Sequence, residues 1–352
     1  MKRLILKTSL LFLFLCVSCI NMVAKPNIHI LATGGTIAGT GASASEASYT
    51  AGKLGIDELL SAVPAIHDLA TITGEQISKI GSQDMNDDIW LLLAHRIYKL
   101  LSSPEVDGVV ITHGTDTMEE TAYFLHLTVK SDKPVVLVGA MRPSTSLSAD
   151  GPMNLLNAVA VAASKEAMNK GVMVMMNSEI LSARSVLKMH TLDVGSFKSN
   201  GDGTMGYVQG TKVHFLSQPM HKHTNESIFD VTGRKTLPKV GIVYSHANVD
   251  ADVMTPFLTN GYEGIIHAGV GNGNIHKHLL PSLIEARKKG ILVVRSSRVP
   301  MGPTSMDGEV DDKNYQFIAS MELNPQKARI LLMLALTQTR KWEEIQQYFL
   351  EY

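Results

Sequence analysis

GVVITHGTDTMEETAYFLHLTV, residues 108–129, changes its rhythm halfway along. Gly108 to Ile111 is an apolar run of strand length, whereas Met118, Ala122, Leu125 and Val129 recur at helical spacing, so the polar hexapeptide Thr112–Thr117 falls where a strand hands over to a helix. Thr117 and Glu120 form a capping-box pattern that predicts the helix start and leaves backbone N–H groups facing the loop. Ligands of open α/β sheets bind outside such strand ends. The hexapeptide thus offers a hydroxyl, a carboxylate and a helix N-terminus together, although the same residue types also build ordinary turns.

Outward from this unit the pattern repeats. Asn27 to Ala32, Pro134 to Gly139, Gly171 to Met176, Val240 to Tyr244, Gly264 to Ala268 and Gly290 to Val294 are further strand-like runs, most of them followed by a polar or glycine loop and a helix-like segment. This alternation predicts an α/β protein with mainly parallel sheets, and the nearly continuous apolar character of the strands predicts cover on both faces. The Met-rich run Val172 to Met176 reads as core filling. Between Phe215 and Pro238 the hydrophobic rhythm lapses into a tract with Pro219, His221, Lys222, His223, Asn225 and Gly233. The expected organisation is a larger N-terminal α/β domain over 25–216, a linker over 217–237 and a smaller C-terminal α/β domain over 238–352.

The chain has 352 residues, 45% of them hydrophobic, enough for two domains with full cores. Lys2, Arg3 and Lys7 precede an apolar block, Leu10 to Ile20, that is too short to span a bilayer and reads as a secretory signal, with a cut after Ala24. Met22 fits such a cut poorly. Cys19, after Val17-Ser18, offers a rival reading as a lipidated cysteine, so the protein is expected to be periplasmic or secreted, or else anchored through Cys19. Both cysteines, Cys16 and Cys19, lie in this segment, so the chain beyond it has neither an internal disulfide nor a thiol nucleophile. Removing residues 1–24 takes away Lys2, Arg3 and Lys7 and no acid, lowering the formal charge from −1 to −4. With no basic stripe interleaved with aromatics, nucleic acid is not an expected partner, and no later run is long enough for a membrane helix.

The chemistry-bearing residues sit in the loops. Thr33 to Gly39 is a glycine turn after the first strand whose spacing fits neither a dinucleotide fingerprint nor a P-loop, and what it presents is the Thr36 hydroxyl. Residues 39–52, rich in Gly, Ala, Ser and Thr, form a candidate lid with one aromatic, Tyr49. Gly81 to Asp87 caps an amphipathic helix, with Ser82 and Gln83 as candidate ligand contacts and Arg96 at the edge of the apolar stripe. An alcohol needs a base to become a nucleophile, and Lys188 is the candidate, oriented by Asp116. Glu309 reads as one acid of a surface loop. His221 with His223, and His276 with His278, lack a carboxylate or cysteine at ligand spacing, so they read as solvated loop histidines and no specific metal site is expected.

Taken together, ATGGTIAG (32–39), GSQDMND (81–87), ITHGTDTMEE (111–120), VGAMRPSTS (138–146), GVGNGN (269–274) and VVRSSRVP (293–300) closely resemble the bacterial type II L-asparaginases from about Asn27 onward. The resemblance implies hydrolysis of the side-chain amide of asparagine to aspartate and ammonia through an acyl-enzyme. It makes Thr36 the nucleophile, assisted by Tyr49, and makes Thr115, Asp116 and Lys188 a second catalytic group with the logic of a triad. Ser82, Gln83 and Asp116 would grip the substrate's α-carboxylate and α-ammonium, and Asn274 and Glu309 would complete the site from a neighbouring subunit. It also implies a homotetramer built as a dimer of dimers, no cofactor or metal, and an oxyanion held by backbone donors near Gly35 and Thr115.

Two departures stand out. Ser131 occupies a stretch where some members carry a disulfide, and the lid, with Thr40 and Glu46, differs in composition from better-known relatives. The choice between asparagine and glutamine turns on one methylene, which a pocket resolves by only about 1–3 kcal/mol. A dual-specificity glutaminase-asparaginase is therefore the alternative enzyme. A relative acting on amidated tRNA does not suit an exported chain without an RNA-binding domain. A non-catalytic periplasmic amino-acid-binding protein would need Ser82, Gln83 and Asp116 but neither Thr36 nor Lys188.

Overall fold

The computed structural model describes residues 24–41, 49–50, 52–53, 55–201 and 203–352. The stretch expected to be a secretory signal, up to Val23 and including Cys16 and Cys19, lies outside them, as does Glu46. The larger sheet has eight strands: β1 (Asn27–Gly34), β4 (Thr71–Ile80), β5 (Gly108–Thr112), β6 (Val135–Val138), β7 (Val172–Met176), β8 (Glu179–Ser182), β11 (Gly206–Gln209) and β12 (Lys212–Phe215). Their spatial order is β12-β11-β8-β7-β6-β5-β1-β4, with β4, β1, β5, β6 and β7 parallel and the far edge antiparallel. The smaller sheet, β13 (Val240–Tyr244), β14 (Gly264–Gly269), β15 (Leu292–Ser297) and β16 (Ile318–Ala319), is parallel throughout. Two hairpins complete the set, β2 (Thr40–Gly41) with β3 (Tyr49–Thr50) and β9 (Val186–Lys188) with β10 (Phe197–Ser199). The chain is α/β with a large, mainly parallel N-terminal sheet and a separate small C-terminal one.

The central strands are buried along their whole length because helices cover both faces. Helices Asp87–Leu101 and Met118–Thr128 pack on the face carrying Leu31, Val109, Ile111 and Leu137, and helix Gly151–Ala163 covers the face of Ile30, Val110 and Val136. Helix Pro325–Ala335, capped by Asn324 through the Lys327 N–H at 3.0 Å, lies between helix Met118–Thr128 and the small sheet. Phe124, Leu331, Ile266 and Val294 therefore belong to one continuous core shared by both sheets.

Several local readings need correction. The capping box is not formed: Thr117 is the N-cap residue but caps nothing with its side chain, because its hydroxyl donates instead to the Ser82 carbonyl at 2.7 Å. Asn86 caps the helix after the GSQDMND cluster, accepting from the Ile89 N–H at 3.1 Å. Arg96 does not merely trail its stem along the stripe but pairs with Glu75 of β4. The tract from 216 to 239 has no α-helix or strand, yet Ser227 donates to the Leu127 carbonyl and Phe229 is fully buried in the main core. His223 is 5% exposed and its ring lies 5.0 Å from that of His126, so it is not a solvated histidine.

Burial also sets a pH response. Desolvation lowers His113 and His267 from 6.5 to about 4, so both fold as neutral imidazoles. Their contribution is complete above pH 6.5 and is lost as the pH falls towards 4, by up to about 3 kcal/mol each. Glu120, raised by burial to about 6, acts in the opposite direction between pH 6 and 4.5 and offsets about 2 kcal/mol. The two histidines outweigh it. Thermal unfolding at pH 7 and pH 4.5 should therefore show a lower midpoint in acid, and an unchanged midpoint would refute this account.

Candidate active site

Three adjacent parallel strands deliver the loops. Ala32 of β1 pairs with Thr112 of β5, and Gly34 pairs with Ile80 of β4, so the turns leading to Thr36, Ser82 and Thr115 leave one sheet edge side by side. Glycines let them touch. Gly35 has φ 78°, and a Cβ there would lie 2.3 Å from Gly114 Cα, while a Cβ on Gly114 would lie 2.5 Å from Ser82 Oγ. Any larger residue at either position would push the loops apart. Thr36, Ser82 and Thr115 are all buried at this junction, and Gln83 and Asp116 are exposed beside it.

Hydrogen bonds hold the junction in register. The Asp116 N–H donates to Ser82 Oγ at 3.1 Å, next to the bond from Thr117 to the Ser82 carbonyl. Beneath the loop, His113 Nδ1–H donates to the Gly114 carbonyl at 2.6 Å, which leaves Nε2 to accept from the Thr121 hydroxyl at 2.9 Å. Trp90 Nε1–H donates to that same hydroxyl at 2.8 Å. A neutral, tautomer-fixed histidine thus anchors the backbone between Thr112 and Thr115.

The third contribution comes from the hairpin β9–β10. Lys188, at the end of β9, places Nζ 2.9 Å from Thr115 Oγ1 and 2.6 Å from Asp116 Oδ1. One ammonium therefore bridges the hydroxyl and the carboxylate singled out in the central hexapeptide. Tyr49 is in β3, where its backbone pairs with Gly41, on the hairpin that follows Thr36 and returns through the Gly52 N–H bond to the Gly35 carbonyl at 2.9 Å. Of the backbone donors in the turn around Gly35, the Gly35 N–H is bonded to the Ile80 carbonyl at 2.9 Å.

Asn274 and Glu309 meet each other, not this group. Asn274 Nδ2 donates to Glu309 Oε2 at 2.8 Å on the small domain, and among the described residues no hydrogen bond or ion pair links them to Thr115, Asp116 or Lys188 in the same chain. Their loops are pinned by Arg295, 1% exposed, whose guanidinium pairs with Asp312 at 2.5 Å and donates to the carbonyls of Asn272 and Ser305. Sequence reading missed Arg295 and Asp312, although VVRSSRVP contains the first. It also missed Glu119, a buried carboxylate inside ITHGTDTMEE that accepts from the Lys188 N–H at 3.0 Å.

Comparison with known proteins covers both sheets of the chain. The family model for the N-terminal domain of asparaginases matches residues 27–221, and that for the glutaminase/asparaginase C-terminal domain matches residues 239–349. L-asparaginase 2 of Escherichia coli is 56% identical over 330 residues, covering 94% of each chain. A probable periplasmic L-asparaginase of Haemophilus influenzae is also 56% identical, over 97% of this chain and 98% of its own. Among solved structures, a probable cytoplasmic L-asparaginase from Campylobacter jejuni superposes with a TM-score of 0.90 at 54% identity, covering 93% of this chain and all of that one. With both domains matched and identity above half along nearly the whole length, the chain belongs to the asparaginase family of amidohydrolases.

Proposed function

We propose that the protein hydrolyses the side-chain amide of L-asparagine, giving L-aspartate and ammonia, with Thr36 as nucleophile. The bridge from Lys188 Nζ to Thr115 Oγ1 and Asp116 Oδ1, beside the Thr36 turn, is the observation that carries this reading. Thr36 attacks the amide carbon, and Tyr49 assists its hydroxyl. Thr115, with its proton controlled by Lys188, serves the proton transfers that release ammonia and later activate water against the acyl-enzyme. Ser82, Gln83 and Asp116 bind the amino-acid end of the substrate. A protein that only captured amino acids would have no use for a lysine placed against a threonine hydroxyl.

Ammonia release from asparagine and glutamine, measured side by side on protein beginning at Lys25, tests the assignment. Strong preference for asparagine supports it. Comparable rates establish the dual-specificity enzyme. No release from either by folded protein would refute both.

The Asn274–Glu309 pair acts on a neighbouring subunit in this reading, within a homotetramer of two dimers, with Glu309 pairing the substrate ammonium. Truncating it should raise KM by about 10–100-fold, the value of a hydrogen bond to a charged group. Mixing subunits supplies the decisive experiment. Thr36→Ala and Glu309→Ala proteins, dissociated and reassembled together at low asparagine, should recover roughly a quarter of parental activity, because half the dimers are mixed and each has one intact site. Recovery no greater than the sum of the two separate proteins would place Glu309 in its own subunit's site or in none. The leader and periplasmic location rest on Lys2, Arg3, Lys7 and the apolar block after them. Intact mass of the mature chain separates a free Lys25 from a lipid on Cys19.

A further inference from the structure

We infer that Glu119 is the positioning residue that holds Lys188 against Thr115, a role resting on the reading of Lys188 given above. Glu119 follows Asp116 by three positions, in the first turn of helix Met118–Thr128, and its side chain is buried. Oε2 accepts from the backbone N–H of Lys188 at 3.0 Å, and Oε1 accepts from Asn324 Nδ2 at 2.9 Å. Both carboxylate oxygens are engaged by N–H donors.

The consequence is a closed ring. The helix fixes Glu119 relative to Thr115 and Asp116, Glu119 fixes the backbone of Lys188, and the lysine side chain returns to Thr115 Oγ1 and Asp116 Oδ1. Without the Glu119 bond, the lysine at the end of a three-residue strand would reach its hydroxyl only through a flexible four-carbon stem. Asn324 extends the ring into the C-terminal domain. Its Oδ1 caps helix Pro325–Ala335 at the Lys327 N–H, and the buried Lys327 Nζ donates to the carbonyls of Arg184, at 2.8 Å, and Val186, at 2.5 Å. The strand carrying Lys188 is thus gripped at the Lys188 N–H by Glu119 and at the Val186 carbonyl by Lys327, which also holds the Arg184 carbonyl just before the strand.

An exchange of donor and acceptor tests this. In Glu119→Gln one oxygen can still receive the Lys188 N–H, but the new amide donor then faces the Asn324 amide donor. In Asn324→Asp a carboxylate faces a carboxylate. The double variant restores complementarity, with the introduced glutamine amide donating to the introduced aspartate and the aspartate still capping Lys327.

On assembled enzyme, each single variant should lower kcat for asparagine by about 10–100-fold, the effect of a misplaced catalytic group, with KM within about threefold. The double variant should return to within about threefold of the parent. A parental kcat in Glu119→Gln, or a folded double variant no better than the worse single, overturns the proposal. Should Glu119→Gln fail to assemble, the double variant decides alone, and failure of both would make Glu119 a folding residue instead. Lys188→Met, assayed in parallel, separates the two readings. Parental activity there removes the role of Lys188 itself, whereas an inactive Lys188→Met beside a fully active Glu119→Gln removes only that of Glu119.

Discussion

Thr36→Ala protein should fold and assemble like the parent yet hydrolyse asparagine on the order of 10⁴-fold more slowly, since loss of a nucleophile leaves only binding and polarisation. The substitution removes a hydroxyl and a methyl from a residue already 6% exposed in a tight turn, and it keeps the Cβ. The glycines that shape the turn, Gly34 and Gly35 with φ of 113° and 78°, are untouched. Stability should therefore change little beside the loss in rate. Thr36→Ser retains the oxygen and should retain a measurable fraction of the rate. Intact mass after an acid quench is the direct check, with an acylated species in the parent that is absent from Thr36→Ala. More than a tenth of parental kcat in the alanine variant would move the nucleophile elsewhere, and Thr115 would be the next residue to test.

The parts of this site that could be read from the chain are those whose cause is local. β5, β6, β7 and β14 announce themselves as apolar runs because both of their faces are covered, and the glycine turn after β1 is visible because only glycine tolerates its backbone. β4 escaped reading for the opposite reason. It is the sheet edge, its residues are half-exposed or exposed, and TITGEQISKI contains no apolar run, although its end presents Ser82. The hairpin that carries Lys188 has three-residue strands, and Lys188 meets Thr115 across 73 residues, a distance over which periodicity says nothing. Thr117 shows how tertiary contacts displace a local rule. Its capping pattern is sound, but the Ser82 carbonyl lies within reach and takes the hydroxyl. Glu119 was hidden because helix Met118–Thr128 is buried nearly all round, so no polar face distinguishes a working carboxylate from a solvated one.

Lys188→Met should lower kcat by on the order of 10²–10⁴-fold, the span of general acid–base catalysis, with a much smaller change in KM. Methionine keeps the length and apolar stem of lysine, so the packing of the hairpin is preserved while both bonds from Nζ, to Thr115 Oγ1 and Asp116 Oδ1, are lost. The second substitution tells how the lysine works. Arginine keeps a positive charge near Asp116 but cannot give up its proton, and its planar fork does not reproduce a point donor. If Lys188 takes the proton of Thr115, Lys188→Arg stays as slow as Lys188→Met at every pH. If it only polarises the hydroxyl as a cation, arginine recovers a substantial part of the rate. Thr115→Val supplies the last constraint. A lysine that acts through one hydroxyl has nothing left to act on once that hydroxyl is gone, so Lys188→Met added to Thr115→Val should cost little further. Additive losses would mean that Lys188 and Thr115 serve the reaction separately and that the 2.9 Å bond between them is structural.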